Sequence, residues 1–137
     1  MRVSFHKVTI IRFNKEPEMI NIDQELQWLG TSLGLFSLRD KDRSCYRVFI
    51  ALLKALKAGE GLTSDEIAFQ LGLTRGTVVH HLNNLLSAGL IIDKNGRYLM
   101  RDKTMKKILE DMKSDVAKTY DNLIKVAEKI DEKLDLS

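Results

Sequence analysis

Between Leu62 and Ile92 the chain reads LTSDEIAFQLGLTRGTVVHHLNNLLSAGLII, and the residue types in this stretch permit few backbone paths. Thr63 followed by Glu66 forms a capping box, in which a hydroxyl and a carboxylate each satisfy a backbone amide left free at a helix start. A helix therefore begins at Ser64, with Ile67, Ala68 and Leu71 as its buried stripe. Gly72 ends it, because glycine enters the left-handed conformation without a Cβ penalty and lets the chain turn within Gly72, Leu73 and Thr74. Thr74 caps a second helix whose apolar residues Val78, Leu82, Leu85 and Leu86 keep helical spacing, and Gly89 closes it. Two short helices joined by one sharp turn are the expected result.

Two apolar runs follow, LIIDKNGRYLMR, joined through Asn95 and Gly96, the dipeptide that most favours a two-residue hairpin turn. Lys94 and Arg97 flank that turn, so its tip is basic and suited to a phosphate or minor-groove contact. Helix, turn, helix and hairpin in this order make a winged helix-turn-helix. The segment from Gly72 to Ile92, especially LTRGTVVHHLNNLLSAGLI, resembles the ArsR-like family of transcriptional regulators, particularly its archaeal members. The resemblance covers roughly residues 45 to 100 and implies a dimer that binds duplex DNA and commonly represses by occluding a promoter.

The distribution of charge agrees with that expectation. Residues 1–42 hold six basic and six acidic groups, residues 43–100 seven and four, and residues 101–137 nine and nine. The whole excess behind the net charge of +3 thus falls in the winged segment, and Ile67 to Ile92 contains no carboxylate that would repel phosphate. Arg75 is the only permanent cation between those two residues, so tight binding needs two copies.

Around this segment the chain divides into an N-terminal extension, 1–42, the winged domain, 43–101, and a C-terminal helix, 102–137. Met1 to Phe13 alternates with high β-propensity and reads as a strand or hairpin. Past Pro17, a helix from about Asp23 carries Leu26, Leu29 and Leu33, with Trp28 beside them. Arg39 to Arg43 is a charged connector, and Ser44 to Ala58 reads as the first helix of the winged domain, stopped by Gly59 and Gly61. The fold class is mainly α with a small β wing (α+β).

From Thr104 to Leu136 there is no glycine or proline, and apolar residues fall at Met105, Leu109, Met112, Val116, Tyr120, Leu123, Ala127, Ile130 and Leu134. Spacings of 4, 3, 4, 4, 3, 4, 3 and 4 describe a heptad seam with one stutter near Val116. Such a helix is ~50 Å long at 1.5 Å per residue. Its stripe requires a partner, and the same helix of a second copy is the simplest one. Folding back over the N-terminal segment is the competing arrangement. The resemblance adds that a terminal helix commonly builds the dimer interface in ArsR-like proteins.

Helical geometry selects the residues that meet DNA. With Val78, Leu82 and Leu85 inward, Arg75, Gly76, Val79, His80 and Asn83 lie outward near the start of the recognition helix, residues 75–88. Arg75 can pair with guanine, Asn83 with adenine or a phosphate, and Val79 with a thymine methyl, while Gly76 admits close backbone approach. Thr74 and Thr77 suit phosphate, and Lys94 and Arg97 place the wing, residues 90–101, on the backbone or minor groove. His81 is expected to pack against the preceding helix, and Cys45, the single cysteine, to be a small core residue without an intrachain disulfide.

No Gly-rich phosphate loop, nucleophile triad or paired carboxylates recommend an enzyme. No cofactor or metal is expected, since His6, His80, His81 and Cys45 are the only soft ligands and the paired cysteines of metal-sensing relatives are missing. The longest apolar run, Val48 to Leu53, is too short to cross a bilayer, and the N-terminus lacks a signal pattern, so the chain is expected in the cytoplasm. The expected partners are duplex DNA and a second copy, with the effector undefined. The alternative is a winged-helix protein-interaction module whose long helix binds a different chain.

Overall fold

The computed structural model describes residues 10, 21–36 and 43–136, so the strand expected over Met1 to Phe13 and the connector at 39–42 lie outside the described residues apart from Ile10. The chain divides into two units, residues 1–103 and 104–137. In the first unit the described elements are α1 (Ile22–Ser32), α2 (Ser44–Lys54), a 3₁₀ turn (Ala55–Ala58), α3 (Ser64–Leu71), α4 (Arg75–Ser87), β1 (Ile91–Lys94) and β2 (Arg97–Met100). The second unit is one helix, α5 (Met105–Lys133). The fold is a winged helix-turn-helix, mainly helical with one two-stranded antiparallel sheet, followed by a long C-terminal helix.

The core of the first unit lies where α2 and α3 pack on α4. Val48, Phe49 and Leu52 of α2, Ile67 of α3 and Val78, Leu82 and Leu85 of α4 are all buried, joined by Leu90, Ile91 and Met100 from the hairpin. Each such side chain withdrawn from water contributes about 1.5–3 kcal/mol, which makes this small cluster the main source of stability. The expected α-helix from Ser44 to Ala58 stays α-helical only to Lys54, and its last four residues tighten to 3₁₀. That tightening delivers the Gly59 amide to the Leu56 carbonyl at 3.2 Å before the chain reverses.

Local capping places α3 and α4. The Glu66 amide donates to the Thr63 hydroxyl at 3.1 Å, and the Thr77 amide to the Thr74 hydroxyl at 3.2 Å. Gly72 takes φ +65°, in the left-handed region, and sets the turn between the two helices. At the far end of α4 the amides of Gly89 and Leu90 donate to Leu86 and Leu85 at 3.0 and 3.2 Å, the paired bonds of a Schellman motif. Only half of the expected capping box forms, because the Glu66 carboxylate faces Arg97 instead of its own helix start. A guanidinium offers that carboxylate an opposite full charge, which the Thr63 amide cannot.

The hairpin pairs Ile91 with Met100 and Lys94 with Arg97 around Asn95 and Gly96, both at positive φ. A further bridge joins Leu62 to Tyr98 through amide-to-carbonyl bonds of 2.9 and 2.7 Å. The neighbouring Gly61 is required for it, since a Cβ there would stand 2.8 Å from the Tyr98 carbonyl oxygen. The wing is thereby tied to the segment leading into α3.

Asn21 caps α1, its carboxamide oxygen accepting from the Gln24 amide at 2.9 Å. Phe36 packs edge-on against Tyr46, ring centres 5.3 Å apart, and leans on Phe49. The Tyr46 hydroxyl donates to Asp23, Arg43 lies over the Tyr46 ring at 4.3 Å, and Arg43 pairs with Asp23 at 3.6 Å. Cys45 is buried in the same helix.

Burial, then the bond to Asp23, pushes the Tyr46 phenol from 10.0 up to about 12. The folded chain therefore keeps a proton that the unfolded chain releases near pH 10, and stability falls as pH rises from there toward 12. Urea denaturation at pH 9 and pH 11 is expected to show a smaller alkaline loss for Tyr46→Phe than for the wild type. Equal losses would assign the alkaline sensitivity to another group.

Candidate nucleic-acid interface

The apolar side of α4 is fully committed to the core, and this decides what the opposite side presents. Around a helix turning 100° per residue, Gly76, His80 and Asn83 lie opposite Val78, Leu82 and Leu85, and all three are exposed. Arg75 is exposed at the helix start, whereas Val79 and Thr77 are half-buried at the edges of that face. Space around Gly76 is open, with no atom within 4 Å of where a Cβ would stand. Asn84 and Ser87 share the exposed face as well. Sequence reading passed over them because it concentrated candidates toward the helix start.

His81 is bound to α2. Its Nε2 lies 2.6 Å from the Ser44 hydroxyl, and its ring centre is 5.4 Å from that of His80. Packing against the preceding helix, α3, is the sequence expectation, and the structure shows a hydrogen bond to α2. Thr74 and Thr77 bond each other, hydroxyl to hydroxyl, at 2.9 Å. A phosphate at this helix start would meet a pair already organised by the cap.

The electrostatics differ most from expectation. Arg75 lies 3.6 Å from Asp65, and Arg97 lies 3.4 Å from Glu66, so the first turn of α3 supplies a carboxylate to each arginine of the expected DNA surface. Arg97 also donates to the Gly61 carbonyl at 3.3 Å and is turned toward α3, not outward from the wing tip. Its place in the register beside the Leu62–Tyr98 bridge aims it that way. Lys94 alone of the two remains an outward cation of the wing, with the Asn95–Gly96 turn held by the Gly96 amide donating to Asp93 at 2.8 Å. Both arginine pairs are largely solvated, so each contributes little to stability and can exchange for a phosphate.

Side-chain exposure changes along α5. Met112 is buried and Met105, Leu109 and Val116 are half-buried, together with buried Ile108, which lies outside the expected heptad set. Tyr120, Leu123, Ala127, Ile130 and Leu134 are exposed, and Ile124 and Val126 widen the same stripe. Among the described residues no group of three or more His, Cys, Asp or Glu side chains could hold a metal ion. No helix among them is long and apolar enough to cross a membrane.

Residues 47–93 match the family model of a helix-turn-helix domain. The match runs from the first turn of α2 through α3 and α4 into β1, and it leaves out α1, β2 and α5. No curated protein matches the chain. Within the helix-turn-helix, α4 is the second helix, and its exposed face carries Gly76, His80 and Asn83.

Neutralising the carboxylates that hold the two arginines is expected to raise affinity for duplex DNA. Asp65→Asn and Glu66→Gln, combined, should tighten binding to random-sequence duplex several-fold at low salt, at a cost of about 0.3–1 kcal/mol per residue from the lost helix-start charge. Fluorescence anisotropy with a labelled duplex checks it, and an unchanged or weakened affinity would show that these pairs do not compete with phosphate.

Proposed function

We propose that the chain is a homodimeric, sequence-specific DNA-binding regulator of the ArsR-like type, acting in the cytoplasm as a repressor and without enzymatic activity. The observation that carries this reading is the face of α4 opposite the core. It is exposed, free of carboxylates, open at Gly76 and lined by His80 and Asn83, with Arg75 exposed at the helix start beside it. In a dimer, two such helices spaced by about 34 Å would read half-sites one DNA turn apart. Lys94, and Arg97 once exchanged from Glu66, would hold the wing on the phosphate backbone. The helix-turn-helix match at 47–93 and the resemblance of LTRGTVVHHLNNLLSAGLI to ArsR-like regulators support the same reading.

Association of two copies rests on α5. The exposed stripe from Tyr120 to Leu134 is a run of apolar side chains at heptad spacing, and a second α5 offers a matching stripe. The partly covered seam from Met105 to Val116 contributes less. Leu123→Glu with Ile130→Glu should convert a dimer to a monomer in light scattering at micromolar concentration, because each charge would be desolvated in the interface. A wild-type protein that is itself monomeric under those conditions would rule out this interface.

DNA recognition is tested by a contrast between two variants. Arg75→Ala should cost about 1–3 kcal/mol on the preferred duplex and flatten its preference over random sequence. Lys94→Ala should weaken binding to all duplexes alike and lower the slope of log affinity against log salt, because fewer counterions are released. Titration against a preferred and a random duplex at two salt concentrations reads both. A wild type without salt-sensitive duplex binding at micromolar concentration would favour a protein-interaction module instead.

A further inference from the structure

On the side of α2 next to α1 lies a cavity of about 400 Å³, open to solvent and lined by residues of α1, α2 and α3. Its floor is one face of α2, with Arg47, Ile50, Ala51 and Lys54 in succession, and its far wall is the C-terminal end of α3 at Gln70 and Leu71. The cavity lies outside the nucleic-acid interface: none of the α4 or wing residues assigned to DNA lines it.

Its charges are not equally available. Asp23, at the Tyr46 end, already accepts from the Tyr46 hydroxyl and pairs with Arg43. Arg47 donates one guanidinium nitrogen to the Leu71 carbonyl and keeps further donors of its fork. Lys54 is exposed two helical turns beyond Arg47 and has no ion pair among the described residues. Between the two cations stand Ile50 and Ala51, with Leu71 opposite. An unpaired Lys54 at one end of an apolar floor, with Asp23, the one carboxylate among the described lining residues, satisfied at the other end, selects a monoanion that carries an apolar body. A small inorganic anion would leave that floor unused.

We propose that this cavity is an effector site for a small organic carboxylate with an apolar body. The carboxylate pairs with Lys54, and the body lies over Ile50, Ala51 and Leu71 toward Arg47. The regulatory half of the proposal rests on the DNA-binding reading above. Leu71 is the last residue of α3, next to the left-handed Gly72 that sets the direction of α4, and Arg47 grips its carbonyl. A ligand whose body displaces Arg47 from this carbonyl loosens the turn into the recognition helix and weakens DNA binding.

Calorimetry on the full chain with hexanoate and benzoate, against acetate and inorganic phosphate, tests the site. Saturable binding of either apolar carboxylate is expected, with acetate weaker by about tenfold or more for want of the buried body. Lys54→Met should lose about tenfold through one charge-assisted contact, while Lys57→Met, a lysine that does not line the cavity, should bind as the wild type does. No saturable heat up to ~10 mM, phosphate binding as tightly as hexanoate, or undiminished binding by Lys54→Met would each overturn the site. Duplex titrations with and without saturating carboxylate test the coupling, with a several-fold loss of DNA affinity expected and a muted loss in Arg47→Lys, which lacks the fork. Carboxylate binding that leaves DNA affinity unchanged overturns the effector role. Carboxylate binding, sensitive to Lys54, by a chain that binds no duplex supports the site and sinks the DNA-binding reading.

Discussion

Everything in the first unit depends on the apolar contact between α2 and α4. Val48, Phe49 and Leu52 on one helix and Val78, Leu82 and Leu85 on the other are withdrawn from water together, and no other cluster among the described residues of the unit is large enough to replace them. Because α4 has one buried stripe, its rotation about its own axis is set by that contact, and the polar residues on the far side are presented as a group. The hairpin is anchored to the same core through Leu90, Ile91 and Met100. Core stripe and exposed polar face are thus two sides of one helix, and a side chain that disturbs the first displaces the second.

The two-helix unit was legible in the sequence because its determinants are local. Thr63, Gly72, Thr74 and Gly89 act within three or four residues of themselves, and the buried stripe of α4 repeats at helical period, whereas of the expected α3 stripe Ile67 is buried and Ala68 and Leu71 are half-buried. The wing was equally plain from Asn95 and Gly96. Contacts between residues distant in sequence were not legible. Ser44 meets His81 across 37 positions, and Arg97 meets Glu66 across 31. Counting charges along the chain found a surface without carboxylates, yet the turn just before that surface supplies Asp65 and Glu66. The α5 seam was read as one continuous stripe, but its burial changes along its length, which periodicity alone does not encode.

Two kinds of interaction therefore divide the labour. Burial of hydrocarbon fixes where elements lie, and it is insensitive to salt. The exposed arginine pairs fix where charges point at rest, and they are weak enough to be exchanged. A surface built this way holds its cations in a defined place without committing them. The cavity beside α2 follows the same pattern, with an apolar floor supplied by the helix that carries the core and solvated cations at its rim.

The hydrogen bond from Ser44 to His81 adds a constraint of another kind. Apolar side chains tolerate small slips, but a hydrogen bond of 2.6 Å between two side chains does not, and this one joins the first turn of α2 to the middle of α4. Any roll of α4 that would bring Asn84 forward in place of Asn83 must break it. On the DNA-binding reading proposed above, descendants of this chain would then acquire new target sequences by exchanging side chains on a face of fixed azimuth. Turning the same helix to show a different face is closed to them for as long as the serine and the histidine stay together.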